Sequence, residues 1–156
     1  MNRRQFSLSA IILLLLTICL CSCGDVIVEP KWIIGVKGAD TSYFSSIEYS
    51  KLREVTIIVE KELQDGTTLK ETWEGVYLKD VLDYLGVTEY SSITLSSTDD
   101  YSIEYSPDII NDSLTILGTN VNGRDIKHED GYVQAVAGNQ SENMWVGKLS
   151  KMSINK

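Results

Sequence analysis

The 156-residue chain carries 22 acidic against 14 basic side chains, a formal net charge of −8, and is 43% hydrophobic. That length and apolar content supply one small domain with one core and leave no room for several. So acidic a balance excludes a surface built to neutralise nucleic-acid phosphates, and also one held electrostatically on anionic headgroups.

The chain opens with Arg3 and Arg4, then the apolar run Ile11 to Leu16, then Thr17-Ile18-Cys19-Leu20-Cys21-Ser22-Cys23. This is the layout of an export signal rather than a domain element. Leu20-Cys21-Ser22-Cys23 resembles a bacterial lipobox, with Cys21 a less usual residue inside it. The resemblance implies that Cys23 is diacylated and becomes the new N-terminus. The expected division is a lipoprotein signal peptide at 1–22, a tether at 23–30 and a domain at 31–156. The protein is then exported to the bacterial cell envelope and attached to the membrane through its acyl anchor. Cleavage removes Arg3 and Arg4, leaving 12 basic residues against 22 acidic ones and a net charge of −10. With Cys19 and Cys21 gone and Cys23 acylated, the domain holds no thiol. Disulfides, thiolate nucleophiles and cysteine metal ligands are thereby excluded from it.

In the domain, Lys31 to Val36 has the β-branched composition of a first strand, and Tyr49 to Arg53 reads as a short helical turn. Val55 to Leu63 is the clearest strand, with Val55, Ile57 and Val59 on one face; Asp65-Gly66 turns the chain and Thr67 to Trp73 returns as its partner. Leu78, Val81, Leu82 and Leu85 follow at i, i+3, i+4 and i+7, the apolar stripe of a two-turn helix closed by Gly86. Ser92 to Ser97 and Tyr101 to Tyr105 are two strands around Asp99-Asp100, which suggests a meander. Ser106-Pro107-Asp108 has a capping hydroxyl, a proline at the first helical position and an early carboxylate, the start of a helix of a turn or two. Leu114 to Leu117, the Asn122-Gly123 tight turn, Val133 to Val136 and Lys151 to Ile154 complete a β-rich tail.

Chemistry-bearing motifs are scarce. No glycine-rich dinucleotide or phosphate loop, nucleophile elbow or His-Glu-x-x-His occurs. The one histidine, His128, sits in a polar loop and has neither a second histidine nor a thiol to work with. The carboxylates lack the dense Asp-x-Asp-x-Asp-Gly spacing that calcium requires. Eight Tyr and three Trp admit a glycan or peptide platform, although Tyr in strands is ordinarily a packing residue.

Three stretches together resemble a known family. Trp73-Glu74-Gly75-Val76-Tyr77-Leu78-Lys79-Asp80-Val81-Leu82 is similar to the Trp-x-Gly-Val-x-Leu-x-x-Leu-Leu signature of the molybdopterin-binding domain of the sulfite oxidase family. Val121-Asn122-Gly123-Arg124-Asp125-Ile126 with Glu129 to Gly138 resembles its asparagine-glycine turn and following strand, and Trp145 to Ile154 its closing tryptophan-lysine segment. The resemblance covers most of Val55 to Ile154, in the family's order. It implies a mixed α/β (α+β) fold, a β-rich single domain with short helices, and molybdenum held by the pterin dithiolene and one cysteine thiolate near Lys61.

This chain has no cysteine there, carries Gln134 where the family often has arginine, and Ala137 where a proline is usual. An amide holds an anionic cofactor less well than a guanidinium fork. The expectation is therefore a non-catalytic binding or interaction module with no catalytic residue, no metal and no cofactor. Its partner is an unidentified protein or small molecule and not nucleic acid. Trp73, Gln134 and Lys148 are its candidate ligand-binding residues, with Trp73 plugging a sheet edge beneath the helix. The alternative is a molybdopterin-dependent oxidoreductase, or its accessory subunit, that keeps the pterin without thiolate ligation.

Overall fold

The computed structural model describes residues 28–62 and 65–156; the export signal, the lipobox and Cys23 lie outside the described residues. Among the described residues ten strands form two five-stranded sheets. The first contains β1 (Ile33–Lys37), β2 (Tyr43–Ser45), β5 (Ser92–Ser97), β6 (Ser102–Tyr105) and β10 (Leu149–Asn155), in the order β2-β1-β10-β5-β6. Only β1 and β10 run parallel. The second contains β3 (Val55–Glu62), β4 (Thr68–Tyr77), β7 (Thr115–Val121), β8 (Arg124–Asp125) and β9 (Gln134–Ala137). Its order is β3-β4-β7-β8, and β9 also pairs with β7, so β8 and β9 lie along β7 one after the other. The fold is a mixed, β-rich single domain with short helices, as the resemblance implies.

Alternation along the strands builds the core. Ile34, Val36, Phe44, Leu95 and Met152 of the first sheet and Ile57, Val59, Trp73, Leu117 and Val136 of the second are buried in one cluster. The helix after β4, α2 (Leu78–Tyr84), buries Leu78, Val81 and Leu82, and Leu85 just beyond it is buried too. Each such side chain is worth about 2 kcal/mol of burial, which a two-turn helix needs because its own hydrogen bonds do not offset nucleation. Gly86, at φ 72, ends the helix: its N–H bonds to Asp83 O at 3.1 Å and that of Val87 to Leu82 O at 2.9 Å. These are the two bonds of a Schellman motif.

Several local expectations are corrected. β5 and β6 form a hairpin at the sheet edge but not a meander, because the last strand, β10, inserts between β1 and β5. The first helical turn is α1 (Ser46–Tyr49), three residues earlier than Tyr49 to Arg53. Its start is fixed by a capping box in which Ser45 Oγ accepts from Ile47 N–H at 3.2 Å and Glu48 accepts from Ser45 N–H at 3.0 Å. Pro107 does open α3 (Pro107–Ile110), but the Ser106 hydroxyl makes no capping bond. β4 also continues to Tyr77, beyond the expected Trp73. Its neighbours are β3 and β7, so Trp73 lies on an interior strand rather than plugging an edge.

Two glycines separate conformational strain from steric demand. A Cβ on Gly86 meets nothing within 4 Å, whereas one on Gly75, at the register shift between β4 and β7, stands 2.3 Å from Leu117 O. Gly86→Ala is therefore expected to cost about 1 kcal/mol, the price of the left-handed backbone alone. Gly75→Ala should lose several times that, since strand-to-strand contact has to open. Thermal unfolding of the two variants side by side tests the ordering.

Candidate functional site

The cleft begins with a two-residue turn. Asn122 and Gly123 adopt φ 52 and φ 74 between the paired residues Val121 and Arg124, the positive-φ geometry of a tight hairpin. This turn places Val121, Arg124, Asp125 and Ile126 along one wall of a 490 Å³ cleft. The chain then passes through a 3-10 turn (His128–Asp130) and returns at Gly131. Gly131 has φ 81, and a Cβ there would lie 2.4 Å from Lys148 Cα. Only glycine therefore lets the 128–131 turn press against Lys148. Lys148, itself at φ 49, stands with Gly147 on the other lip.

Trp73 supplies the aromatic floor. Its indole lies against Gly118 of β7, where an added Cβ would meet Trp73 Cε3 at 2.8 Å. Gly118 pairs in turn with Gln134 of β9. The structure thus brings Trp73, Gln134 and Lys148 into one cleft, although they come from three distant parts of the chain. Sequence reasoning missed Arg124, Asp125, Ile126 and Lys127. The Asn122-Gly123 turn was the signal available, since the residues flanking a tight hairpin turn project from a fixed frame.

The cleft is close to neutral in an acidic protein, with Arg124, Lys127 and Lys148 set against Asp125, Glu129 and Asp130. Lys127 lies 3.9 Å from Glu129 and Lys148 3.9 Å from Asp99, both loose contacts. Asp125 accepts from Asn120 Nδ2 at 3.1 Å. Arg124 makes no ion pair among the described residues, which leaves a guanidinium free at the rim. His128 is exposed and stacks edge to face on Tyr132, with centroids 5.5 Å apart.

Behind Trp73 lies a connected polar group. Lys61 Nζ is 3.0 Å from Glu71 Oε2 and also pairs with Glu142. The same ammonium lies 4.5 Å from the centroid of Trp145. Glu71 Oε2 accepts the Trp73 indole N–H at 2.9 Å, Trp73 meets Trp145 edge to face at 5.7 Å, and the Trp145 indole N–H donates to Ala137 O at 2.9 Å. Lys61 and Glu71 are mostly covered, with side chains 16% and 14% exposed. Burial lowers the Lys61 pKa, but the bonds to Glu142 and Glu71 outweigh it and hold the ammonium above the ordinary lysine value.

This is the region in which the resemblance calls for a molybdenum-binding thiolate. It contains an ammonium already neutralised by two carboxylates, and the sequence from Gly24 to Lys156 has no cysteine. Among the described residues no group of three or more His, Cys, Asp and Glu side chains is placed to hold a metal. The residues present do not fit molybdenum held through a protein thiolate.

A family model described as an oxidoreductase molybdopterin binding domain matches residues 45–155. A search of curated proteins gave no match. Among solved structures, the chain is similar to the sulfane dehydrogenase SoxCD from Paracoccus pantotrophus, with a TM-score of 0.68 at 17% identity. The similarity covers 80% of this chain and 38% of that one, so the chain spans well under half of that protein's length.

Two outcomes follow for the site. Gly118→Ala should push the Trp73 indole from its seat, shift tryptophan emission, and cost about 1–3 kcal/mol as overpacking does. The Lys61 cluster also carries a pH signature. Because its folded-state pKa is raised, its contribution is complete below the ordinary lysine value of 10.5 and fades as pH climbs through the folded-state value. Lys61→Met, which leaves the covered Glu71 carboxylate without its cation, should be less stable at neutral pH, and the gap in Tm should narrow above pH 10.5. A gap that stays constant across that range would contradict the ion cluster.

Proposed function

The chain belongs to the oxidoreductase molybdopterin-binding domain family, and we propose that within it this protein is a non-catalytic binding module, exported and held on the envelope membrane by acyl chains on Cys23. The family's domain binds molybdopterin. In this chain the observation that carries the reading is the Lys61–Glu71–Glu142 cluster, an internally satisfied ion group in place of a metal-binding sulfur. An ammonium paired with two carboxylates has no lone pair to offer a metal, and burial makes breaking the group costly.

What the cleft retains is recognition. The half-buried Val121 and Ile126, backed by the buried Trp73, give the cleft an apolar wall, while Arg124, Lys127 and Lys148 can meet an anionic substituent. The three carboxylates beside them disfavour a ligand of high negative charge and favour a zwitterionic or singly charged one. Gln134 adds an uncharged amide that can donate and accept at once.

The convergence of Trp73, Gln134 and Lys148 in one cleft also supports a second reading, a molybdopterin oxidoreductase or its accessory subunit that keeps the pterin without thiolate ligation. Elemental analysis and pterin fluorescence of the full chain, purified from a molybdenum-replete host, separate the two. The binding-module reading expects neither molybdenum nor pterin at stoichiometric level; one molybdenum per chain would overturn it. Anchoring has its own test. Cys23→Ser should move the protein out of the membrane fraction and abolish acyl labelling, and unchanged fractionation would remove the anchor from the reading.

A further inference from the structure

Beside the cleft, sharing Asp125 and Ile126 with it, is a smaller cavity of 160 Å³. Its aromatic lining is assembled from three separate segments: Trp32 ahead of β1, Tyr49 at the end of α1, and Tyr132 in the loop before β9. Trp32 and Tyr49 meet edge to face, with centroids 5.5 Å apart and planes at 78°, so these two rings stand nearly at right angles. The Tyr49 hydroxyl shares a 3.1 Å hydrogen bond with Thr119 Oγ1, and burial pushes its pKa up to about 12, which keeps the phenol neutral.

Tyr132 is held in place by its backbone. Its φ is 64, a value that a bulky side chain adopts only when its surroundings impose it. Val133 N–H bonds to Gly131 O at 2.8 Å across it, and its own N–H bonds to Lys127 O at 3.1 Å. The Lys31 ammonium lies 5.1 Å from the centroid of the Tyr132 ring. The protein thus already supplies a cation to this aromatic surface.

We propose that this cavity is an aromatic cage for a small quaternary ammonium group, with Lys31 as its resident competitor. Three aromatic side chains and the Asp125 carboxylate provide the cation–π and charge attraction that such a group needs. An alkylated ammonium has no N–H to satisfy, so the hydrogen bond between the Tyr49 hydroxyl and Thr119 Oγ1 need not break to receive it, as it would for a primary amine. The cavity is well below the ~300–1,000 Å³ of sites for larger ligands, which restricts the occupant to a compact headgroup. The protein's negative charge further enriches cations around it. Two sources carry this chemistry, a soluble quaternary amine or the choline headgroup of a lipid.

The test titrates choline chloride into the full chain, read by calorimetry and intrinsic fluorescence, against 3,3-dimethylbutan-1-ol, its uncharged isostere. Choline should bind saturably and the isostere should not. Tyr132→Leu should lower choline affinity at least tenfold, and Asp125→Asn severalfold. Lys31→Ala should raise it, because the competing ammonium is gone. In the Cys23→Ser chain, which lacks the proposed acyl anchor, choline-sensitive binding to phosphatidylcholine vesicles, absent with phosphatidylglycerol vesicles, would assign the lipid source; choline saturation without vesicle binding would assign the soluble one. The proposal is overturned if choline does not bind, if the isostere binds equally well, or if Lys31→Ala leaves affinity unchanged or lower. Should Tyr132→Leu fail to fold, the Lys31→Ala comparison decides, since Lys31 is exposed and its removal leaves the core intact. These results do not depend on molybdenum or pterin content, so the cage and the binding-module reading stand or fall separately.

Discussion

One ammonium between two carboxylates, set against an indole face, organises the functional half of this domain. Lys61 is the shared member: it neutralises Glu71 and Glu142 and lies against Trp145. Glu71 then fixes the Trp73 indole from its edge, and Trp145 packs against the same ring. Trp73 is consequently clamped on two sides before it forms the floor of the cleft. Lys61 and Glu71 are the covered pair and costly to separate, while Glu142, 62% exposed, joins them from the surface. The group ties the turn bearing Glu142, ahead of β10, to the paired strands β3 and β4.

The sheets serve this arrangement. β7 carries β4 along one edge and β8 and β9 along the other, so Trp73, Arg124 and Gln134 fall on the strands that flank it. Close approach at Gly75, Gly118 and Gly131 brings backbone or ring into spaces that any Cβ would occupy. On the other lip, Lys148 accepts a left-handed backbone so that its side chain reaches the cleft before β10 begins. Far from the cleft, Tyr105 donates to Met144 O at 2.6 Å, and burial holds its phenol well above the ordinary range. That bond ties the turn bearing Glu142 to the first sheet and couples the ion cluster to the hydrophobic core.

Local pattern made much of this legible in the sequence. The stripe from Leu78 to Leu85, the alternation from Val55 to Val59 and the Asn122-Gly123 turn each depend on neighbours in the chain, and each appears in the fold as a helix, a strand and a hairpin. The capping box at Ser45 and Glu48 is also written locally, and it starts the helical turn three residues ahead of the expected Tyr49. The insertion of β10 between β1 and β5 was not legible, because strand order between distant segments leaves no periodic trace in either one. The same holds for the site. Trp73, Gln134 and Lys148 were identifiable through the family signature, whereas the pairing of Lys61 with Glu71 and Glu142 and the meeting of Trp32, Tyr49 and Tyr132 exist only once the chain has folded. The absence of cysteine near Lys61 is visible in the sequence; the ion cluster that forms there is not.

The ion cluster can be observed directly. Nitrogen-15 spectra of lysine ammonium groups report both hydrogen bonding and ring currents. Lys61 should give a slowly exchanging ammonium resonance, shifted by the Trp145 ring and returned to the ordinary position by Trp145→Leu. Lysine ammonium signals all at solvent-exposed positions, with none responding to Trp145→Leu, would contradict an ammonium locked between Glu71 and Glu142 against the Trp145 ring.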